Sequence, residues 1–327
     1  DNSQLCLRCH PGQYAQHTPH DLRESGPDET NRLGQTALEG GPCSACHLSH
    51  RYARTIHRSN LDPEGRCITC HSAYHIAAGH ARTHMEHPES RCGECHNPHD
   101  MTHGEFLDAP VSQLCVRCHE GYGGGTAAGM HPLGKMDDAI PAELVALGAS
   151  VGLDDHEMTC QVCHSTHRAQ YGELLVMPVD SNQLCLSCHD EKLAERTLGG
   201  ILPRHGQSPK LTEAQRAVVE EWGTRIGPDG ELLCLSCHRI HGGVSDESLL
   251  AFKPHYGETC TACHPNEATV FGTPHDLRTN FPDTQNSVGM TAVSNGACSA
   301  CHLAHEYPRE RVPTMGDPGG QCTTCHR

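Results

Sequence analysis

The sequence predicts a chain that is mostly irregular, with short α-helices and negligible β-sheet, and that is not held together by an ordinary side-chain core. Three observations carry this expectation. Only 36% of the 327 residues are hydrophobic and 4% aromatic, with four Phe and one Trp, too little for a core of that size. Thirty-three Gly and 21 Pro interrupt the chain throughout and leave few runs long enough for regular elements. Finally, 22 Cys and 29 His recur at one fixed spacing from end to end. The formal charge of −16 makes nucleic acid and anionic membrane poor partners. No run of eighteen apolar residues offers a transmembrane helix. No secretory leader is legible, and the chain reads as an already processed form.

The cysteines fall into eleven C-x-x-C pairs: Cys6 and Cys9, Cys43 and Cys46, Cys67 and Cys70, Cys92 and Cys95, Cys115 and Cys118, Cys160 and Cys163, Cys185 and Cys188, Cys234 and Cys237, Cys260 and Cys263, Cys298 and Cys301, Cys322 and Cys325. Each pair is followed at once by histidine: His10, His47, His71, His96, His119, His164, His189, His238, His264, His302 and His326. C-x-x-C alone is ambiguous between zinc, a redox disulfide and haem attachment, but only the haem motif demands a histidine at the next position. Two thiols so spaced reach the two vinyl groups of one haem edge, and the adjacent imidazole meets the iron as proximal ligand. The pattern therefore predicts eleven haem c groups, and an elongated fold organised around a chain of them.

Five motifs carry a second histidine three places further on: His50, His99, His167, His241 and His305, after the pairs that begin at Cys43, Cys92, Cys160, Cys234 and Cys298. We term these B motifs and the other six A motifs. The two alternate strictly. The step from B to A is always 23 to 26 residues, whereas A to B varies from 25 to 49, so a rigid couplet alternates with a connector that accepts insertions. The second histidine of a B motif lies too close to its own motif to wrap to the far face of the same haem. It is expected to ligate the iron of a neighbouring one.

Eighteen histidines remain after the proximal set, enough to supply a distal ligand everywhere. Besides the five B histidines, the connectors offer His20, His131, His205 and His275, together with His84 or His87 in the second connector; His17 is a further candidate. Methionine, the alternative axial ligand, occurs only eight times and irregularly. Residues 20–50 align without gaps to 275–305 with 18 of 31 positions identical, pairing His20 with His275, while His17 falls opposite Gly272. One three-haem module is thus used twice. The expected divisions are an N-terminal module over 1–71, central couplets over 72–259 and a C-terminal module over 260–327. Two connectors read as helical. Residues 212–222 open on a Thr-x-x-Gln capping box with Leu211, Ala214, Val218 and Trp222 on one face, and 140–147 carry Pro141 in the first turn.

With these motifs in place, the chain resembles the paired-CxxCH multihaem c-type cytochromes over essentially its full length. The stretches "MHPLG", "EMTCQVCHSTH" and "CGECHNPH" are similar to the decahaem cytochromes that conduct electrons through an outer-membrane porin. The extracellular cytochrome filaments, polymerised head to tail, are a second point of resemblance. The likeness implies single-file bis-histidine haems and extracellular electron transfer; the eleventh motif and the duplicated ends depart from the decahaem pattern. About thirty residues per motif cannot build separate pockets, so a continuous electron wire is expected. A porin-embedded conduit or a periplasmic electron shuttle is the alternative; a multihaem reductase, a further one, would need an iron with an open position and usually an altered motif. The expected setting is extracellular or at the cell surface, alternatively the periplasm or outer membrane. The expected partners are further copies of the chain in a filament, or an outer-membrane β-barrel, with other redox cytochromes or extracellular electron acceptors. In the filament, His17 would cross the junction to complete a terminal iron.

Overall fold

A computed structural model describes residues 2–11, 18–31, 34–47, 67, 70–71, 84, 92–122, 129–151, 154–189, 210–244, 249–251, 258–285 and 291–300. Most of the described chain is loop and turn punctuated by helices of one or two turns, as expected. The sheet content among the described residues is one pair of two-residue strands, Gly134–Lys135 with Glu157–Met158, beside which the Met136 N–H donates to the His156 carbonyl at 2.8 Å. No helix among the described residues is long and apolar enough to cross a membrane.

The chain forms two compact units. The first comprises Asp1–Gly123, Lys135–Ile140 and Val145–Val176, and the second Gly124–Gly134, Pro141–Leu144 and Met177–Arg327. The first unit buries Leu107, Met158, Val162, Leu175 and Val176; the second buries Leu211, Val219, Leu233 and Leu249. Neither places an aromatic side chain among its buried described residues, so small aliphatic clusters take the place of a core.

The duplicated segments fold alike, each within its own unit. In the first, the Thr18 hydroxyl accepts from the His20 N–H at 3.2 Å, and Asp21 caps the turn Leu22–Ser25 and grips Arg23 at 2.6 Å. In the second, Thr273 accepts from the His275 N–H at 3.2 Å, and Asp276 grips Arg278 at 2.8 Å ahead of Leu277–Asn280. A β-bridge then follows in each, Thr30 to Thr36 and Gln285 to Thr291, before the turns Ala37–Gly40 and Ala292–Asn295.

Both expected connector helices form. Glu213–Glu221 begins at Thr212, with the reciprocal Gln215 bonds of a capping box in place. Of the expected face Leu211 is buried, Val218 and Trp222 are half-buried and Ala214 is exposed, while Val219, outside it, is buried. On the face of Leu211 and Val219, Gln215 Nε2 donates to the Cys263 carbonyl at 2.9 Å. The other helix is Ala142–Ala146, with Pro141 just ahead of it and Leu144 buried.

Candidate haem sites

Nine of the eleven motifs lie among the described residues, and all nine close the same way. The histidine N–H donates to the carbonyl of the first cysteine, from His10 to Cys6 at 2.9 Å through to His264 to Cys260 at 2.8 Å. This single helical turn puts positions i, i+3 and i+4 on one face, so two thiols and an imidazole project together. Local caps start several of the turns. Pro42 occupies the first turn at Cys43, the Thr159 hydroxyl accepts from the Gln161 N–H, and Asn182 Oδ1 accepts from the Cys234 N–H at 2.8 Å.

Across every variable connector the first cysteines of an A motif and the next B motif meet: Cys6 with Cys43, Cys67 with Cys92, Cys115 with Cys160, Cys185 with Cys234 and Cys260 with Cys298. In two couplets of constant spacing the second cysteines are neighbours instead, Cys95 with Cys118 and Cys237 with Cys263. Connector length therefore varies without separating the first cysteines that it joins.

The histidines are brought together in pairs. His71 faces His20 with ring centroids 6.0 Å apart, His47 faces His99 at 6.0 Å, and His119 faces His84 at 6.1 Å. His96 faces His167 at 6.0 Å, and His189 faces His131 at 6.3 Å. Two metal–nitrogen bonds of about 2 Å plus two half-rings of about 1 Å give about 6 Å between imidazoles that share one metal ion. In each pair one ring follows a C-x-x-C turn and the other is an expected distal candidate. His99 and His167 do not face the adjacent motif. They face the proximal histidine of the preceding B motif, two motifs back. His20, His84 and His131 instead face the A histidine two motifs ahead.

The chemistry of these groups suits a metal. Burial holds His20, His99, His131 and His167 below the ordinary histidine value, so their imidazoles are neutral and able to donate a lone pair. Nδ1 of His99 is buried with no hydrogen-bond partner among the described residues. On the proximal side, His96 Nδ1 lies 3.0 Å from the Glu105 carbonyl and His164 Nδ1 lies 2.8 Å from that of Glu173. An imidazole that donates from Nδ1 presents Nε2 to a metal.

The residues behind those carbonyls escaped sequence reasoning. After a B motif the chain folds back in a tight loop, bridging His96 to Leu107, His164 to Leu175 and His238 to Leu250. The turn forces positive φ on Glu105 (44°), Phe106 (57°), Glu173 (59°), Leu174 (58°) and Leu249 (50°). The available signal was Gly-Glu-x-Leu, which starts eight residues after both His96 and His164. Phe106 also packs on the His20 ring at 4.4 Å.

Of the remaining candidates, the backbone of His241 bridges to Met130, and that of His131 donates to the Ile240 carbonyl at 3.0 Å. The exposed His275 reproduces the His20 turn. His17, His50, His87, His205 and His305 lie outside the described residues, as do Cys301, His302, Cys322, Cys325 and His326.

Repeated thioether-forming turns, each with its own proximal imidazole, define a protein that carries covalently bound haem c. Three segments, 84–124, 155–194 and 228–269, match the family described as the doubled CXXCH motif, and each spans one B–A couplet. Three copies of this doubled motif indicate a multihaem c-type cytochrome. No curated protein and no solved structure matches it.

Proposed function

We propose that the chain is an eleven-haem electron conductor whose irons are all closed by two histidines. The observation that carries this reading is the set of five facing imidazole pairs at 6.0–6.3 Å. Bound haem c supplies a one-electron iron couple at each site. The residues of the chain do the rest. Each C-x-x-C turn anchors one porphyrin edge, each proximal and distal pair fills both axial positions, and the interlocked register places every B site between motifs on either side. With both axial positions filled, substrate has no point of entry to the iron, which favours electron transfer over the reductase alternative.

The finer proposal is extracellular electron transfer by chains joined head to tail in a filament, with export following from haem attachment outside the cytoplasmic membrane. The twice-used module supports it, because one chain then presents the same local structure in two places, and an open head-to-tail contact propagates. A conduit seated in an outer-membrane β-barrel is the rival. Intact mass under denaturing conditions should exceed the polypeptide by eleven haems, and the reduced protein should not bind carbon monoxide. Ready binding would instead reveal an open iron. Negative-stain microscopy separates the two assemblies: filaments support the first, and monomers that co-purify with a β-barrel sink it.

A further inference from the structure

We propose that motif class sets the angle between the two axial imidazoles, so that two electronic classes of iron alternate along the chain. The inference rests on the facing histidines being axial ligands, as proposed above. At the B sites the facing rings are close to parallel, 18° for His47 and His99 and 27° for His96 and His167. At the A sites they are crossed, 88° for His71 and His20, 86° for His119 and His84, and 63° for His189 and His131.

The backbone explains the division. A B site takes both rings from B motifs: the proximal one follows the cysteine turn, and the distal one lies three residues beyond the next B motif's own proximal histidine. The fold-back loop after that motif clamps the proximal ring by its Nδ1, at 3.0 Å from Glu105 for His96 and 2.8 Å from Glu173 for His164. The same two motif positions supply the rings at each B site, so the small angle between them repeats from one B site to the next. An A site takes its distal ring from a connector segment laid against a B motif. The His84 N–H donates to the Thr166 carbonyl at 2.9 Å, and that of His131 to Ile240 at 3.0 Å. Its two rings therefore come from unlike backbones and need share no plane. Glu105 and Glu173 act as positioning residues through their carbonyls, held by the positive-φ turn.

The electronic consequence follows from ligand-field symmetry. Parallel imidazoles donate into the same iron π orbital and split the π pair, which gives a rhombic low-spin ferric spectrum. Crossed imidazoles donate one into each, leave the pair nearly degenerate and give a highly anisotropic spectrum with a single large g value. Because A and B motifs alternate strictly, each step between consecutive sites joins irons of different class.

Low-temperature electron paramagnetic resonance of the oxidised holoprotein tests this. Both line types are expected, from the five A sites and four B sites to which this register assigns a distal ring. His167→Gly should remove about a quarter of the rhombic intensity, one of four B sites with a following B motif, and leave the large-g signal. His84→Gly should remove about a fifth of the large-g signal, one of five A sites served by a connector histidine, and leave the rhombic one. Exogenous imidazole should restore low-spin iron in either variant. A native spectrum of one low-spin class, or loss from the same component in both variants, overturns the inference and leaves bis-histidine ligation standing. A native spectrum dominated by high-spin iron overturns both. The native spectrum alone decides if a variant fails to fold.

Discussion

Asp21→Asn should cost the holoprotein about 2 kcal/mol, midway between a buried and an exposed pair. The Asp21 carboxylate is fully buried and accepts from Arg23 Nε at 2.8 Å, from Nη2 at 2.6 Å and from the Arg23 backbone N–H at 3.3 Å. Breaking a wholly buried pair costs about 3–5 kcal/mol, and an exposed pair is worth at most about 1 kcal/mol. Here the carboxylate is inaccessible while the guanidinium keeps 26% exposure, so water recovers part of the loss. Asparagine keeps one acceptor but turns an amide N–H toward the guanidinium and removes the charge. Because His20 directly precedes this pair and faces His71, looseness there should also show as partial high-spin iron at the Cys67 site. Urea unfolding followed by far-ultraviolet dichroism, with the Soret band recorded in parallel, gives both readouts. In the second copy Arg278 holds the Asp276 carboxyl below its ordinary value. That contribution is therefore complete above the ordinary carboxylate pKa of about 4 and is lost as pH falls through the depressed folded value. A stability within about 0.5 kcal/mol of wild type for Asp21→Asn would refute the argument and place the pair with ordinary surface ion pairs.

Val219→Ala should cost about 2 kcal/mol and Val218→Ala clearly less, measured by the same unfolding, because only Val219 is fully buried on that helix; equal costs would restore the face expected from sequence. Gln215→Ala removes both half of the capping box and the bond to the Cys263 carbonyl, so a loss of about 1–2 kcal/mol is expected. Glu105→Gly should be neutral or stabilising by up to about 1 kcal/mol, since a left-handed L-residue costs about 1–2 kcal/mol and glycine entropy returns about half; a clear destabilisation would show that the side chain, not the backbone, matters there. If the B register seen at His99 and His167 continues, His305→Ala should leave the haem complement unchanged by mass and turn the Cys234 site high-spin. An unchanged spectrum would end the register at that point.

The sequence by itself determined the cofactor chemistry and the scarcity of regular structure. Eleven cysteine pairs with a histidine always next leave one covalent chemistry, and that requirement is local: five residues in one helical turn bring two thiols and an imidazole to one face without help from the rest of the chain. The capping boxes at Thr36 and Thr212 are likewise local, the latter legible as Thr-x-x-Gln, and the repeat of residues 20–50 at 275–305 was visible by alignment. Which imidazole faces which was not legible, because the partners lie far apart in sequence: His20 and His71, or His96 and His167, are joined only after intervening connectors have folded back. His84 was one of two equal candidates until its backbone bond to Thr166 fixed it opposite His119. The long-range bond from Gln215 to the Cys263 carbonyl, made on the same helix face as the buried Val219, was likewise not legible in the apolar pattern. The ring planes and the positive-φ loop behind them belong wholly to the tertiary structure. A one-dimensional pattern can name a ligand, but its orientation depends on the backbone that carries it and on the carbonyl that meets its second nitrogen.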